Sequence, residues 1–206
     1  MAIFNFISGE LRNKIGGMVG AKWKGKNYLR AYVKPKDAKT PDQQEVRASF
    51  KILNQLGSRI NETVLKPYQA KPVANKSPAN VFVKLNTPFM AAKSVNLLDI
   101  KIFNGALPLG AAAVGAAAAA DNKVTVTVTP ATYGIAKDTD TLIAIAYNQT
   151  KDTCNTATAQ RGSGSAVPID IEIPTAAGDV FYVWVTAAQP KVANGPTLAF
   201  TGTVGA

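Results

Sequence analysis

From residue 96 onward the chain is a succession of short runs whose apolar residues recur at every second position, a period that belongs to extended strands. Val124, Val126 and Val128 alternate with Thr125, Thr127 and Thr129, and Ile169, Ile171 and Ile173 alternate with Asp170 and Glu172. Turn-forming residues separate the runs: Asp121-Asn122, Gly162-Ser163-Gly164, Gly178-Asp179 and Asn194-Gly195-Pro196. The pattern predicts strands near 96–104, 112–118, 123–129, 141–148, 156–161, 166–173, 179–188 and 197–203. Short strands at this spacing point to an Ig-like or fibronectin-like β-sandwich over 96–206, close to complete and able to fold alone. The run Ala111 to Ala120 is interrupted by Gly115, so it reads as a small-residue strand and loop that lets a neighbour approach closely.

Residues 40–95 read as helical. Thr40 is a good N-cap, Pro41 suits the first helical position, and Gln43 completes a capping box. Val46, Phe50, Leu53, Leu56, Ile60 and Val64 then form one apolar stripe, and the helix ends near Tyr68, after Lys66-Pro67. Gly57 lies inside it and marks a kink or a close contact. Ser77-Pro78 caps a second, shorter helix. The whole is a mainly β chain with an α-helical segment.

Residues 1–39 form a basic, glycine-rich arm. The cluster Lys14-Ile15-Gly16-Gly17-Met18-Val19-Gly20 suits tight turns. Period-2 patterning on either side of Gly25 predicts a β-hairpin with Lys, Arg and Tyr on one face. Lys22, Trp23, Lys24, Lys26, Tyr28, Arg30 and Tyr32 are the candidate interaction residues. Such a face can add to a neighbouring subunit's sheet, or hold phosphates and stack bases. The charge agrees with a macromolecular partner. Residues 1–95 carry 17 Lys/Arg against 5 Asp/Glu, whereas residues 96–206 carry 6 against 8. The net charge is +10, and a basic half beside a near-neutral one suggests modules with different partners.

Composition also excludes function classes. The 206 residues contain no histidine, which removes Ser-His-Asp and Cys-His catalysis, imidazole metal ligation and histidine switching. Cys154 is the only cysteine, so no internal disulfide and no CxxC site can form. Asp138-Thr139-Asp140 resembles only part of a calcium loop. No cofactor, metal or small-molecule substrate is expected, and the chain is not expected to be an enzyme. No signal peptide or membrane span is visible, so synthesis in the cytoplasm is expected.

Several of these residues together resemble an uncharacterised bacterial and phage family defined as a domain of unknown function. At the front they are Lys14-x-Gly16, Val19-Gly20, Trp23-Lys24-Gly25, Arg30 and Thr40-Pro41-x-x-Gln44-x-x-Arg47-x-x-Phe50. Toward the C-terminus they are Asp140 to Tyr147-Asn148, Arg161, and Ala177-Gly178-Asp179 before Phe181-Tyr182-Val183-Trp184. The resemblance implies a fold outline and a bacterial or phage origin, but no activity.

These readings lead to a non-enzymatic structural self-assembly protein, a bacteriophage virion component (capsid, tail or appendage) or a related filament subunit. Its partners would be copies of itself and other assembly proteins, and its place a virion or other assembled particle. The alternative is a nucleic-acid-binding protein that uses the basic hairpin.

Overall fold

The computed structural model describes residues 3–5, 10–23, 26–34, 37, 39–69, 76–90, 96–115 and 122–205. It divides into two compact units, Met1–Thr40 and Pro41–Ala206.

The first unit is a four-stranded antiparallel sheet of β1 (Ile3–Asn5), β2 (Glu10–Ile15), β3 (Met18–Trp23) and β4 (Lys26–Ala31), in chain order. The expected hairpin is β3–β4. Strands β1 and β2 are additional, because residues 1–13 carry no period-2 signal. Ile15 pairs with Met18, so Gly16-Gly17 is a two-residue turn. Gly16 has φ +57°, the left-handed conformation such turns favour at their first central position.

The second unit begins with α1 (Pro41–Arg59), continues through a π-helical turn (Asn61–Leu65) and ends with α2 (Lys66–Tyr68), where the sequence places the helix end. Then come α3 (Pro78–Leu85), α4 (Thr87–Met90) and a 3-10 turn (Leu97–Asp99). The Ser77 hydroxyl accepts a hydrogen bond from Asn80 N at 3.2 Å, which caps α3 as expected. The remaining strands are β5 (Gly110–Val114), β6 (Lys123–Pro130), β7 (Thr141–Asn148), β8 (Thr153–Gln160), β9 (Val167–Glu172), β10 (Val180–Gln189), β11 (Ala193–Asn194) and β12 (Leu198–Thr203).

These strands build two antiparallel sheets. One has the order β5-β6-β9; the other has the order β11-β10-β7-β8, with β12 also paired to β10. Strands β11 and β12 meet opposite ends of β10, so together they form one interrupted edge. The sheets pack face to face through Val124, Val126, Val128, Ile169 and Ile171 from one, and Leu142, Ala144, Phe181, Val183 and Val185 from the other. This is the expected sandwich. Part of the predicted small-residue strand is present as β5, while residues 116–120 lie outside the described residues.

A second core lies on the outer face of the larger sheet. Ile143, Ile145 and Trp184 pack there with Leu53, Leu56, Ile60 and Val64 of the helical stripe. The helical segment and the sandwich thus share an interior, unlike the division expected at residue 95. Strands β7 and β10 are covered on both faces, which accounts for their nearly continuous apolar sequences.

Residues 96–104 are not a strand, a correction to the sequence reading. Leu97, Ile100, Ile102 and Phe103 are buried while Leu98 is exposed, and side chains satisfy much of the segment's backbone. Asn86 Oδ1 accepts from Lys101 N at 2.8 Å and its Nδ2 donates to Lys101 O at 2.9 Å. Thr197 Oγ1 accepts from Ile102 N at 2.9 Å and Phe103 N at 3.2 Å, and donates to Phe103 O at 3.1 Å. No helix among the described residues is long and apolar enough to cross a membrane.

Candidate interaction surface

The ladder of the N-terminal sheet decides which side chains share a face, because side chains alternate along a strand and directly paired residues lie on the same side. Val19 pairs with both Lys14 and Arg30, and Ala21 pairs with Tyr28. Lys14, Val19, Ala21, Lys26, Tyr28 and Arg30 therefore occupy one face. Tyr32 joins them: its amide donates to Gly17 O at 2.8 Å, and its ring lies under the Lys14 ammonium at 4.2 Å. The opposite face carries Met18, Gly20, Lys22, Asn27, Leu29 and Ala31.

Of the seven candidate residues, this brings Lys26, Tyr28, Arg30 and Tyr32 together. Lys22 lies on the other side, since it is one residue out of step with that set. Lys24 lies outside the described residues, and of Trp23 only the backbone is described, paired with Lys26. Lys14 is a member of the face that the sequence reading missed. It stands on a different strand, and the glycine turn that returns the chain beside it gives no side-chain signal.

Among the described residues of this unit whose side chains are placed, only Gly20 is buried. Met18 and Leu29 are 48% and 47% exposed on one face, and Tyr28 and Tyr32 are 44% and 48% exposed on the other.

The second unit shows structural uses for the residues that elsewhere could carry chemistry. Cys154 is half-buried and burial pushes its thiol up to about 11, so little thiolate is present near neutral pH. No group of three or more potential metal-ligating side chains occurs among the described residues. A cavity of about 270 Å³ between α3 and residues 102–104 is lined mainly by apolar side chains, including Leu65, Phe82, Leu85 and Phe103, with no titratable group.

Asp140, part of the partial calcium loop, and Asp179 are both buried and serve packing. Asp140 and Arg161 are a buried pair, with Nε 3.6 Å from Oδ2. The Arg161 guanidinium also donates to Ala131 O and Pro108 O, which fastens β8 to the loops around β5 and β6. Desolvation lowers the Arg161 pKa from its usual value, opposed by the Asp140 charge. Asp179 accepts from Asn148 Nδ2 at 2.8 Å and Ala176 N at 2.9 Å, which fixes the turn before β10 against the end of β7. Its pKa is lowered, first by the Asn148 bond.

A model of a family of unknown function, DUF6266, matches residues 9–199. The chain belongs to this family. No curated protein and no solved structure matches it. The DUF6266 match takes in β2–β4 of the N-terminal sheet and the second unit as far as the start of β12. Several residues that carry the resemblance, namely Asp140, Asn148, Arg161 and Asp179, are the ones that lock turns to strands in the structure.

Proposed function

We propose that this DUF6266 chain is a non-enzymatic structural subunit that self-assembles, as a bacteriophage virion component (capsid, tail or appendage) or a related filament subunit. The N-terminal sheet is the element that docks on a neighbouring copy.

The observation that carries this reading is a four-stranded sheet in which, among the residues whose side chains are described, only Gly20 is buried. An isolated sheet needs an apolar face packed on something to be stable, and here Met18, Leu29 and Ala31 lie open on one side. Strand addition or face packing between copies would cover them. The second unit needs no such help, since Pro41–Ala206 holds both hydrophobic cores. An attachment element joined to a self-sufficient body is an arrangement suited to a repeating subunit.

The test is assembly state with and without the arm. Size-exclusion chromatography with light scattering, and electron microscopy of the purified full chain, should find oligomers or particles. Deleting residues 1–35 should abolish them while leaving a cooperative thermal transition and β-type circular dichroism. A full chain that stays monomeric at every concentration, or a truncated chain that assembles normally, overturns the proposal.

A further inference from the structure

We propose that the face of the N-terminal sheet bearing Lys14, Lys26, Tyr28, Arg30 and Tyr32 binds single-stranded nucleic acid. This goes beyond the assembly reading, which uses the opposite face, and does not depend on it.

Along β4 and just past its end, the side chains on this face read Lys26, Tyr28, Arg30, Tyr32: cation, ring, cation, ring. Successive members stand about 7 Å apart, twice the rise of an extended residue. The neighbouring strand sets only Ala21 beside Tyr28 and only Val19 beside Arg30. Directly across the ladder Tyr28 therefore meets only the Ala21 methyl, and its side chain is exposed. Lys14 adds a third cation to the row and lies over the Tyr32 ring. Lys26 and Arg30 form no ion pair among the described residues.

Charge selects an anion. Residues 1–40 carry nine Lys/Arg against Glu10 and Asp37. The rings select within the anions. Alternating phosphates and unstacked bases satisfy cations and aromatics together, and base stacking on aromatic side chains tolerates any sequence. An acidic protein surface would use the cations and gain less from the rings. A duplex would offer its phosphates to the cations, but its bases are already paired and stacked and present no face to the rings.

The experiment uses the full chain and a fluorescein-labelled oligo(dT) of about 20 nucleotides, read by anisotropy at about 50 and 200 mM salt. Binding is expected at the lower salt. With three cations each releasing counterions from a single strand, affinity should fall at least roughly 20-fold at the higher salt. Tyr28→Ala should weaken binding about 10-fold while Tyr28→Phe retains it. Arg30→Ala should weaken binding and flatten the salt slope by about 0.7. Lys22→Ala, on the opposite face, should bind like the parent chain; it controls for charge and for loss of the sheet.

No anisotropy change at the lower salt overturns the proposal. So does parent-like binding by Tyr28→Ala, or a Lys22→Ala loss equal to that of Arg30→Ala. Displacement by poly-glutamate or by anionic phospholipid vesicles as readily as by unlabelled oligo(dT) would also overturn it, by assigning the face to an acidic protein or a lipid surface.

Discussion

Arg59, at the end of α1, donates two hydrogen bonds to the Asp152 carboxylate, at 2.8 and 2.7 Å. Tyr147 donates a third at 2.9 Å, and the guanidinium lies 5.9 Å from the Tyr147 ring centroid. Asp152 stands in the turn between β7 and β8, so the cluster fastens the helical layer to the larger sheet. Bidentate geometry makes it stronger than an ordinary surface pair, although the side chains remain 32% and 61% exposed.

The cluster predicts a pH dependence. The Arg59 bonds, then the Tyr147 bond, hold the Asp152 carboxyl below its ordinary range. Asp170 is lowered by Thr125 and Lys123, and Asp179 chiefly by Asn148. A carboxyl whose folded pKa is depressed contributes stability above its unfolded value of about 3.9, and that contribution is lost as pH falls through the folded value. The melting temperature should therefore drop as pH is taken below about 4. Asp152→Asn should lower it by roughly 2–4 °C at neutral pH and make the acid limb shallower. An unchanged acid limb, measured by circular dichroism melts, would remove Asp152 from the linkage.

Asn86 should be among the least replaceable polar residues. It is fully buried, and its amide also donates to Phe82 O at 2.9 Å. Asn86→Ala removes the side-chain bonds to the part-buried Lys101 N–H and C=O and should cost about 1–3 kcal/mol. Asn86→Asp should be at least as damaging, because an ionised carboxylate cannot donate to the two carbonyls. Urea titrations of the three chains should rank them parent, then Ala, then Asp.

Gly57 and Phe82 should couple. A Cβ at Gly57 would stand 2.9 Å from Phe82 Cδ1. Alanine gains roughly 1 kcal/mol of helix propensity over glycine, yet Gly57→Ala should destabilise because the Phe82 ring must shift within a packed core. In a Phe82→Leu background the same substitution should stabilise. A double-mutant cycle with no change of sign would show that the ring yields freely.

The sandwich should not stand alone. Trp184 is fully buried under the helices and donates from Nε1 to Leu97 O at 3.0 Å. Trp184→Ala should cost about 3–5 kcal/mol. A fragment of residues 96–206 would expose Ile143, Ile145 and Trp184 on a whole sheet face, and should show an aggregated or poorly packed state by near-ultraviolet circular dichroism. Pro41–Ala206 should melt cooperatively. A well-folded 96–206 fragment would restore the independence that strand counting alone suggests.

The strict alternation at Val124 to Thr129 is legible as a strand because its two faces meet different surroundings. The apolar runs of β7 and β10 are legible as strands too, but not their second contact surface, since a strand buried on both faces loses the alternation that marks a side. Leu97 to Phe103 misleads for a related reason: burial is readable, while the backbone partners Asn86 and Thr197 come from distant positions that no local pattern names. The helical stripe is half right. Leu53, Leu56, Ile60 and Val64 are buried, whereas Val46 and Phe50 are 42% and 48% exposed. On the candidate face, Lys26, Tyr28, Arg30 and Tyr32 were readable from period alone. Lys14 needed the ladder, and Lys22 was lost to it.

The double coverage of β7 and β10 also has a kinetic reading. Their central amides can meet solvent only when both the helical layer and the facing sheet have parted, which approaches complete unfolding of Pro41–Ala206. Hydrogen exchange in Ile143–Ala146 and Val183–Val185 should thus be the slowest in the chain and track global stability. The N-terminal sheet, whose described side chains are largely exposed, should exchange far sooner. Exchange in β3 and β4 would then slow sharply in any assembled state that covers their open face.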